Sequence, residues 1–144
     1  MTLKSCFTVP SKGAAPDAAL LLLRLIAGAA FLHYGWMKVQ HPFSWMGPAS
    51  HTPAFLQGLA TLSEFGGGLA WILGLLTPLA SLGIVCTMAT AAWMVKMDFH
   101  APFVDLTGGP GYSLPLLFLG IALVLMLGGP GRFSLDRAFF GPKD

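Results

Sequence analysis

The stretch from residue 21 to residue 39 reads LLLRLIAGAAFLHYGWMKV. It lies in an apolar run over about residues 17–37 that is interrupted by Arg24 and His33. A helix needs about 20 predominantly apolar residues to cross the hydrocarbon core of a bilayer. The stretch therefore predicts a transmembrane helix. Because a charge that faces lipid is costly, Arg24 predicts a buried polar contact inside the fold.

The composition of the whole chain agrees with a membrane protein. Of its 144 residues, 55% are hydrophobic and 10% are charged, whereas soluble domains average roughly 45–50% apolar and 25% charged residues. A water-soluble chain of this size could not bury so much apolar surface. The formal net charge of +2 and the absence of a long basic stretch argue against a nucleic-acid partner. Cys6 and Cys86 show neither CxxC nor zinc spacing, and we expect both to be free thiols.

Three more apolar runs predict three further crossings. They cover about residues 54–76, 79–96 and 113–128. Between the second and third runs, we expect Thr77 to be the N-cap of a new helix and Pro78 to occupy its first position. The sequence therefore predicts an all-α membrane protein, a four-transmembrane-helix bundle over residues 17–128.

The segments on either side of this bundle have a different character. Residues 1–16 form a polar lead, and residues 129–144 form a tail that follows a Gly-Gly-Pro-Gly break. In the tail, Ser134 is expected to cap a short helix with Asp136 in its first turn. The apolar side chains of this helix predict that it lies in the membrane interface.

Four crossings place both termini on one side of the membrane, and the basic residues indicate which side. The terminal segments hold Lys4, Lys12, Arg132, Arg137 and Lys143. The two loops on the other side hold Lys38 and Lys96. Because basic residues concentrate on the cytoplasmic side, we expect a bacterial-type cytoplasmic (inner) membrane protein with both termini in the cytoplasm.

Two similar strings follow the first and third spans. They are WMKVQHPF at residues 36–43 and WMVKMDFHAPF at residues 93–103. Their tryptophans and lysines, Trp36 with Lys38 and Trp93 with Lys96, are typical of anchors at a membrane surface. The repetition predicts two parallel helix–loop–helix halves whose loops meet on one face of the membrane.

Arg24 and Glu64 are charged residues within predicted spans. At ~1.5 Å per residue, Arg24 lies about 20 Å below the Lys38 end of the first span, and Glu64 about 15 Å below the Ala54 end of the second. Because the two helices are antiparallel neighbours, we predict an Arg24–Glu64 ion pair. The pair would either lock the two helices together or form a buried polar site for a proton or a quinone carbonyl.

Helical periodicity assigns both charges to faces that also carry small residues. The face of the first helix holds Arg24, Gly28, Phe31, Gly35 and Lys38, and the face of the second holds Gln57, Ala60, Glu64, Gly68 and Trp71. Small residues let membrane helices approach closely. We therefore expect these two faces to pack against one another, with Gly66-Gly67-Gly68 allowing backbone contact or a local bend.

Histidine and methionine side chains gather near the predicted outer face. They are His33, His41, His51, His100, Met37, Met46, Met94 and Met97. Imidazole and thioether groups suit Cu(I), but methionine is also ordinary packing material, so we predict no metal site and keep copper as an alternative. Haem b needs two histidines at similar depth on facing helices. His33 and His100 come nearest to that arrangement, and the pattern does not favour haem.

Over about residues 18–138, the sequence resembles the DoxX family of small four-helix membrane proteins. The resemblance rests on the string quoted above, on LSEFGGGLAWILGLLTPLASLG at residues 62–83 and on GPGYSLPLLFLGIALVLMLGGPGRFSLDR at residues 109–137. DoxX-like proteins are similar to the small membrane subunit of a thiosulfate:quinone oxidoreductase. The resemblance thus implies a role linked to quinone or thiol redox chemistry.

These observations give one leading hypothesis and two alternatives. The chain is expected to be at most a membrane subunit of an oxidoreductase, which helps a redox partner protein to reach the quinone pool. The alternatives are a non-catalytic scaffold or assembly factor, and a small-molecule or copper-handling membrane protein. The thin interior of a four-helix unit also favours a homodimer. The candidate ligand-binding residues are Arg24, Glu64, Gln57, Lys38, Lys96, Trp36, Trp93, His33 and His100.

Overall fold

A computed structural model describes residues 13–141 of the chain. The predicted polar lead lies outside the described residues as far as residue 12, and so do Lys4, Cys6, Lys12 and Lys143. Residues 14–16, predicted as part of that lead, already belong to the first helix.

The described residues are helical and contain no strand. The helices are α1 (Ala14–Gln40), α2 (Ala54–Thr61), α3 (Gly67–Leu73), α4 (Thr77–Met97), α5 (Ser113–Gly128) and α6 (Leu135–Phe140). A π-helical turn, π1 (Leu62–Gly66), joins α2 to α3 without a break in the helical path. The four predicted apolar runs therefore coincide with α1, the α2–π1–α3 path, α4 and α5.

The two faces predicted from periodicity do pack against one another. The backbone of α1 approaches that of α3 at Gly28, where an added Cβ would lie 2.7 Å from the carbonyl oxygen of Gly68. A Cβ on Gly35 would lie 3.0 Å from the backbone nitrogen of Phe65. Contacts this short need glycine, and they fix the height of α1 relative to the α2–π1–α3 path.

A narrow core joins all four long helical segments. Phe31 of α1 packs edge-on to Trp71 of α3, with ring centroids 5.5 Å apart, and also contacts Phe118 of α5 at 4.7 Å. The remaining core side chains are Ala27, Ile84, Met88, Ala122 and Leu125. A buried hydrogen bond from the indole nitrogen of Trp71 to the Ser81 hydroxyl, 2.9 Å long, ties α3 to α4.

The outer surface of the bundle is strongly apolar. Large side chains such as Leu22, Ile26, Leu62, Leu79 and Leu127 are exposed. Such a surface suits hydrocarbon rather than water. Among the described residues, α1 and α4 are long and apolar enough to cross a membrane, whereas α5, with 16 residues, is shorter.

The turn between α3 and α4 differs from the prediction in one respect. Helix α4 starts at Thr77 with Leu76 as its N-cap, so the prediction that Thr77 would be the N-cap is wrong. Pro78 lies in the first turn, as expected. The cap comes instead from the Asp136 carboxylate, which accepts hydrogen bonds from the backbone N–H groups of Leu76 (2.6 Å) and Thr77 (2.8 Å).

The C-terminal tail forms the predicted short helix, α6, and Ser134 caps it by accepting a hydrogen bond from the backbone N–H of Arg137. The tail is also attached to the bundle. The backbone N–H of Asp136 donates to the carbonyl oxygen of Gly74 at 2.8 Å. At the start of α1, the carboxylate of Asp17 accepts from the backbone N–H of Arg132 at 3.0 Å.

Candidate functional site

The predicted Arg24–Glu64 ion pair is wrong, because each side chain has other partners. Arg24 donates four hydrogen bonds to backbone carbonyl oxygens: its Nε to Trp71 (2.8 Å), its Nη1 to Pro130 (2.6 Å) and Phe133 (2.9 Å), and its Nη2 to Ile72 (3.3 Å). Glu64 pairs with Lys38. Arg24 therefore binds the tail and the end of α3, at the opposite end of the bundle from Glu64.

The prediction identified the correct faces of the two helices, but it was wrong about their relative heights along the bundle axis. The predicted pairing assumed that the C-terminal end of α1 and the N-terminal end of α2 lie at the same height in the bundle. Because Gly35 lies beside Phe65, α2 begins about 12 Å beyond Lys38, counting ~1.5 Å per residue. That offset lowers Glu64 to the level of the end of α1. It also lowers Ile72 to the level of Gly28, one turn from Arg24, so that the Arg24 side chain reaches the carbonyls of Trp71 and Ile72.

We call the region around Arg24 the tail junction. It comprises Arg24, the turn at residues 71–77, and residues 130–136 of the tail. Its buried carboxylate, Asp136, attracts the guanidinium electrostatically while it caps α4. Gly74 has a left-handed φ of +65°, and a Cβ there would lie 2.5 Å from Nη2 of Arg24. Four of the five N–H donors of the guanidinium are used, so this charge serves to hold three chain segments together.

The Lys38–Glu64 pair lies at the other end of the bundle. Nζ of Lys38 is 2.6 Å from both carboxylate oxygens of Glu64. Glu64 belongs to π1, and its side chain is 4% exposed, while that of Lys38 is 21% exposed. π-helical turns inside α-helices frequently occur at functional sites. The ammonium group also lies 4.2 Å from the ring centre of Trp45, within the range of a cation–π interaction.

The loop after α1 closes over this pair, and Gln57 holds the loop in place. The Gln57 side chain accepts a hydrogen bond from the backbone N–H of Met46 (3.1 Å) and donates one to the carbonyl of Thr52 (3.0 Å). Its backbone carbonyl accepts from the indole N–H of Trp45 (3.1 Å). Gln57, a predicted ligand-binding candidate, therefore positions Trp45 over Lys38.

A cavity of about 400 Å³ adjoins the Lys38–Glu64 pair, between α2, π1 and α4. We call it the head pocket. Its lining comprises Lys38, Trp45, Met46, Thr52, Leu56, Gln57, Leu59, Ala60, Ser63, Glu64, Gly83, Cys86, Thr87, Thr90, Ala91 and Met94. Most of this surface is apolar, and the charged pair forms one end of it. A mostly apolar concavity of this size with a few convergent polar groups is typical of small-molecule sites.

The hydroxyl groups on the α4 side of the head pocket are already engaged. Thr87 donates to the carbonyl of Gly83 at 3.0 Å, and Thr90 to that of Cys86 at 2.9 Å. Cys86 is a free thiol in the structure, as predicted. Of the polar groups in the pocket, the Lys38 ammonium has a donor to spare. It carries three N–H bonds, and the two carboxylate oxygens leave one for a ligand acceptor.

The other predicted candidates lie outside the head pocket. Lys96 is exposed and lies 5.7 Å from the ring centre of Tyr112. Trp36 and Trp93 are also exposed, 58% and 64% respectively, as a membrane-surface anchor requires. His33 and His100 are exposed, and neither lines the pocket.

The copper candidates are spread over the outer surface in the same way. His41, Met37 and Met97 are exposed, whereas Met94 lines the head pocket. Within residues 13–141, no three His, Cys, Asp or Glu side chains are grouped as a metal site would require.

Sequence reasoning missed two features of the site. One is Trp45, which was placed in a loop and given no role. The other is the π-helical turn that carries Glu64, although the run of three glycines after Phe65 did indicate a local irregularity. The prediction that the two loops meet on one face stays a prediction, since the head pocket is lined by Met46 of the first loop and by residues of α4 but by none of the second loop.

Comparison with known proteins identifies the family of this chain. The chain is 31% identical over 127 residues to the inner membrane protein YqjF of Escherichia coli K12, covering 84% of this chain and 92% of that protein. It is 30% identical over 132 residues to the uncharacterized membrane protein Rv3486 of Mycobacterium tuberculosis, covering 83% and 80%. No solved structure matches the chain. The family model named DoxX matches residues 19–97. This membrane protein therefore belongs to the DoxX family.

Proposed function

We propose that this protein crosses the inner membrane four times and binds a quinone headgroup in the head pocket on behalf of a redox partner protein. The observation that carries the proposal is the Lys38–Glu64 pair, 2.6 Å apart, at the end of a mostly apolar cavity. A quinone has the matching chemistry, since its ring is apolar and its carbonyl oxygens accept hydrogen bonds.

The shape of the bundle supports this membrane arrangement. Four antiparallel helical segments have an apolar outer surface. At ~1.5 Å per residue, α5 is about 24 Å long, somewhat less than the ~30 Å hydrocarbon core, and local thinning or flanking residues can make up the difference. Arg132 and Arg137 near the tail favour the tail end as the cytoplasmic side. The head pocket then lies towards the outer side.

The charge balance of the site favours an uncharged ligand. Lys38 and Glu64 neutralise each other, so the pocket has no excess positive charge to hold an anion such as thiosulfate. The free N–H of Lys38 can donate to a quinone carbonyl, and the Glu64 carboxylate can accept from the hydroxyl of a quinol. Electrons would have to be exchanged with a partner protein. The predicted homodimer stays a prediction.

Quinone binding to the purified protein in lipid nanodiscs tests the proposal. A quinone with a single isoprene unit is titrated while tryptophan fluorescence is recorded, because Trp45 lies at the pocket. We expect saturable quenching, and we expect Glu64→Gln and Lys38→Met each to weaken it about tenfold, the loss of one charge-assisted hydrogen bond. Lys96→Met is the matched control, since Lys96 lies outside the pocket, and it should bind like the wild type. Unsaturable quenching, or equal binding by all variants, would overturn the proposal.

A non-catalytic scaffold or assembly factor is the second candidate function. The tail junction favours it, because Arg24 is engaged by the protein's own backbone and Asp136 caps a helix. This alternative predicts an intact fold with no saturable quinone binding. Copper handling, the third candidate, predicts copper in the purified protein by elemental analysis.

A further inference from the structure

The C-terminal tail turns its backbone towards the bundle and some of its side chains outwards. Arg24 donates to the carbonyl oxygens of Pro130 (2.6 Å) and Phe133 (2.9 Å), and the carboxylate of Asp17 accepts from the backbone N–H of Arg132 (3.0 Å). The side chains of Arg132 and Phe133 are nevertheless about half exposed, 49% and 55%. Because the bundle holds the backbone of this segment, the fold keeps this cation and this ring at its surface.

Helix α6 adds a second cation and a second ring. Arg137 lies in its last turn and is half-buried, and Phe139 is exposed. We call the side chains of Arg132, Phe133, Arg137 and Phe139 the tail surface. Its surroundings are apolar, because the first turn of α4, which the tail caps, exposes the side chain of Leu79. Aromatic rings and long cationic side chains beside an apolar surface are typical of the level where hydrocarbon meets lipid headgroups.

The charges at this end of the bundle do not cancel. The described part of the chain places three arginines there, Arg24, Arg132 and Arg137, and two aspartates, Asp17 and Asp136, so one positive charge is in excess. Both aspartates are fully buried and accept hydrogen bonds from backbone N–H groups. Nε of Arg132 lies 3.9 Å from Asp17, which is beyond hydrogen-bond length.

The two outer guanidinium groups therefore have donors to spare. Within residues 13–141, neither the guanidinium of Arg132 nor that of Arg137 donates a hydrogen bond. Each carries five N–H donors in a planar fork that matches two oxygens of a phosphate. A phosphate ester with a net negative charge has the complementary chemistry.

We infer that the tail surface binds the headgroup of an anionic phospholipid, with Arg132 and Arg137 at the phosphate and Phe133 and Phe139 at the level of the upper acyl chains. The inference goes beyond the proposed function, because the head pocket lies at the other end of the bundle. A zwitterionic lipid fits less well, since its ammonium group neutralises the phosphate. A protein or nucleic-acid partner also fits less well, because the rings lie beside the apolar outer surface that lipid covers.

The size of the expected effect follows from the number of arginines. A basic side chain near the membrane surface favours anionic lipid by about fivefold in association. Two such side chains should together give a preference of about thirtyfold over a zwitterionic lipid of the same acyl chains. Because the attraction is between exposed charges, high salt should reduce the preference.

The test measures which lipid the full-length protein retains from mixed micelles of phosphatidylglycerol and phosphatidylcholine with identical acyl chains, by native mass spectrometry. For the wild type we expect about thirtyfold more phosphatidylglycerol than phosphatidylcholine. Arg132→Gln and Arg137→Gln should each reduce the ratio about fivefold, and the double variant should bring it close to one. Arg132→Lys keeps the charge and should keep most of the preference. Lys96→Gln, the matched control, removes an exposed cation at the opposite end and should also keep most of it.

Each remaining outcome would overturn the inference. A wild type without preference has no anionic-lipid site, and a double variant that keeps the full preference binds the lipid elsewhere. If Lys96→Gln lowers the ratio as much as Arg137→Gln does, the attraction is a general effect of surface charge. If an excess of inorganic phosphate displaces the lipid, the arginines form a site for a free anion. Arg137→Gln decides the matter alone if Arg132→Gln does not fold, because the Arg137 side chain forms no ion pair with a described residue. Quinone binding in the head pocket should be the same in all these variants.

Discussion

Arg24 and Glu64 are both almost fully buried, 1% and 3% exposed, yet their surroundings differ in kind. Arg24 is enclosed by backbone carbonyls from two other parts of the chain, the end of α3 and the tail, at 2.6 to 3.3 Å. Glu64 is paired with a side chain, that of Lys38, and has a cavity of about 400 Å³ beside it. The first charge is surrounded by groups that cannot move away without unfolding the tail. The second can exchange part of its environment for a ligand.

The contrast shows how two buried charges in one small bundle can serve different purposes. A buried charge is tolerated when its hydrogen bonds are satisfied. Where fixed backbone atoms satisfy these hydrogen bonds, the charged side chain stabilises the fold. Where a flexible side chain satisfies them next to open space, hydrogen-bonding capacity is left for another molecule.

The largest effect is expected from Arg24→Met, which tests the structural side of the comparison. The change leaves four carbonyl oxygens without their donor and removes the positive charge near Asp136. We expect a loss of about 3–5 kcal/mol, the cost of breaking a buried polar network. Thermal unfolding in detergent and the yield of monodisperse protein measure it. Arg24→Lys should recover little, because an ammonium cannot reproduce the guanidinium fork. If Arg24→Met were as stable as the wild type, Arg24 would not stabilise the tail junction, and the contrast with Glu64 would fail.

Gly74→Ala should give the next largest effect. Its φ of +65° disfavours an L-residue, and the new Cβ would lie 2.5 Å from Nη2 of Arg24. The left-handed conformation costs roughly 1–2 kcal/mol and the displaced guanidinium adds to this, so we expect about 3 kcal/mol in thermal unfolding. Gly47→Ala is the control, since Gly47 has a φ of +81° with open space around it. It should cost about 1 kcal/mol. Equal losses at the two sites would show that the crowding at Arg24 has no consequence.

Asp136→Ala tests the cap that the tail supplies to α4. The part-buried N–H of Leu76 and the buried N–H of Thr77 lose their acceptor. We expect a loss of about 2 kcal/mol, measured by chemical or thermal unfolding. Asp98→Ala is the comparison at the other end of the same helix, where a negative charge opposes the helix dipole. That variant should be neutral or slightly stabilising. If both variants behave alike, the tail does not stabilise α4.

The smallest effect concerns Asp105, a carboxylate in the loop between α4 and α5 that can be compared with the buried Glu64. The hydroxyl and the backbone N–H of Thr107 donate to Asp105 and hold the pKa of its carboxyl below the usual value. Because its pKa is lower in the folded protein, Asp105 stabilises the fold above its unfolded-state pKa. This stabilisation is lost as the pH falls through the folded-state pKa of Asp105. Thr107→Val should raise the pKa of Asp105, as followed by carboxyl-carbon NMR, and leave quinone binding unchanged. A pKa that does not rise would contradict the assigned cause.

The faces of the helices could be predicted from the sequence, but their relative heights could not. A period of 3.6 residues fixes direction around a helix axis, and it correctly placed Gly28, Phe31 and Gly68 in the contact between α1 and α3. Height along the axis depends on where two backbones touch and on how far the intervening loop rises. Periodicity carries no information on either, and so Arg24 was paired with the wrong residue.

The long-range contacts of the site were also beyond the sequence. Asp136 lies 59 residues from Thr77 in the chain, and nothing local in either segment indicates that one caps the other. The structure shows which contacts are made by the residues that carry the family resemblance. Arg24, the turn at residues 73–77 and the tail at residues 129–136 form one junction, while Lys38 and Glu64 form the other charged site.

The measurement that tests the central claim most directly is quinone affinity and thermal stability recorded on the same preparations of two variants. The double variant Lys38→Met/Glu64→Gln should lose saturable quinone binding while its stability falls by about 1 kcal/mol, because neither side chain is then charged. Arg24→Lys should lose more stability, and the fraction that remains folded should bind quinone with wild-type affinity. The opposite pattern, with binding kept by the double variant and lost by folded Arg24→Lys, would contradict the account.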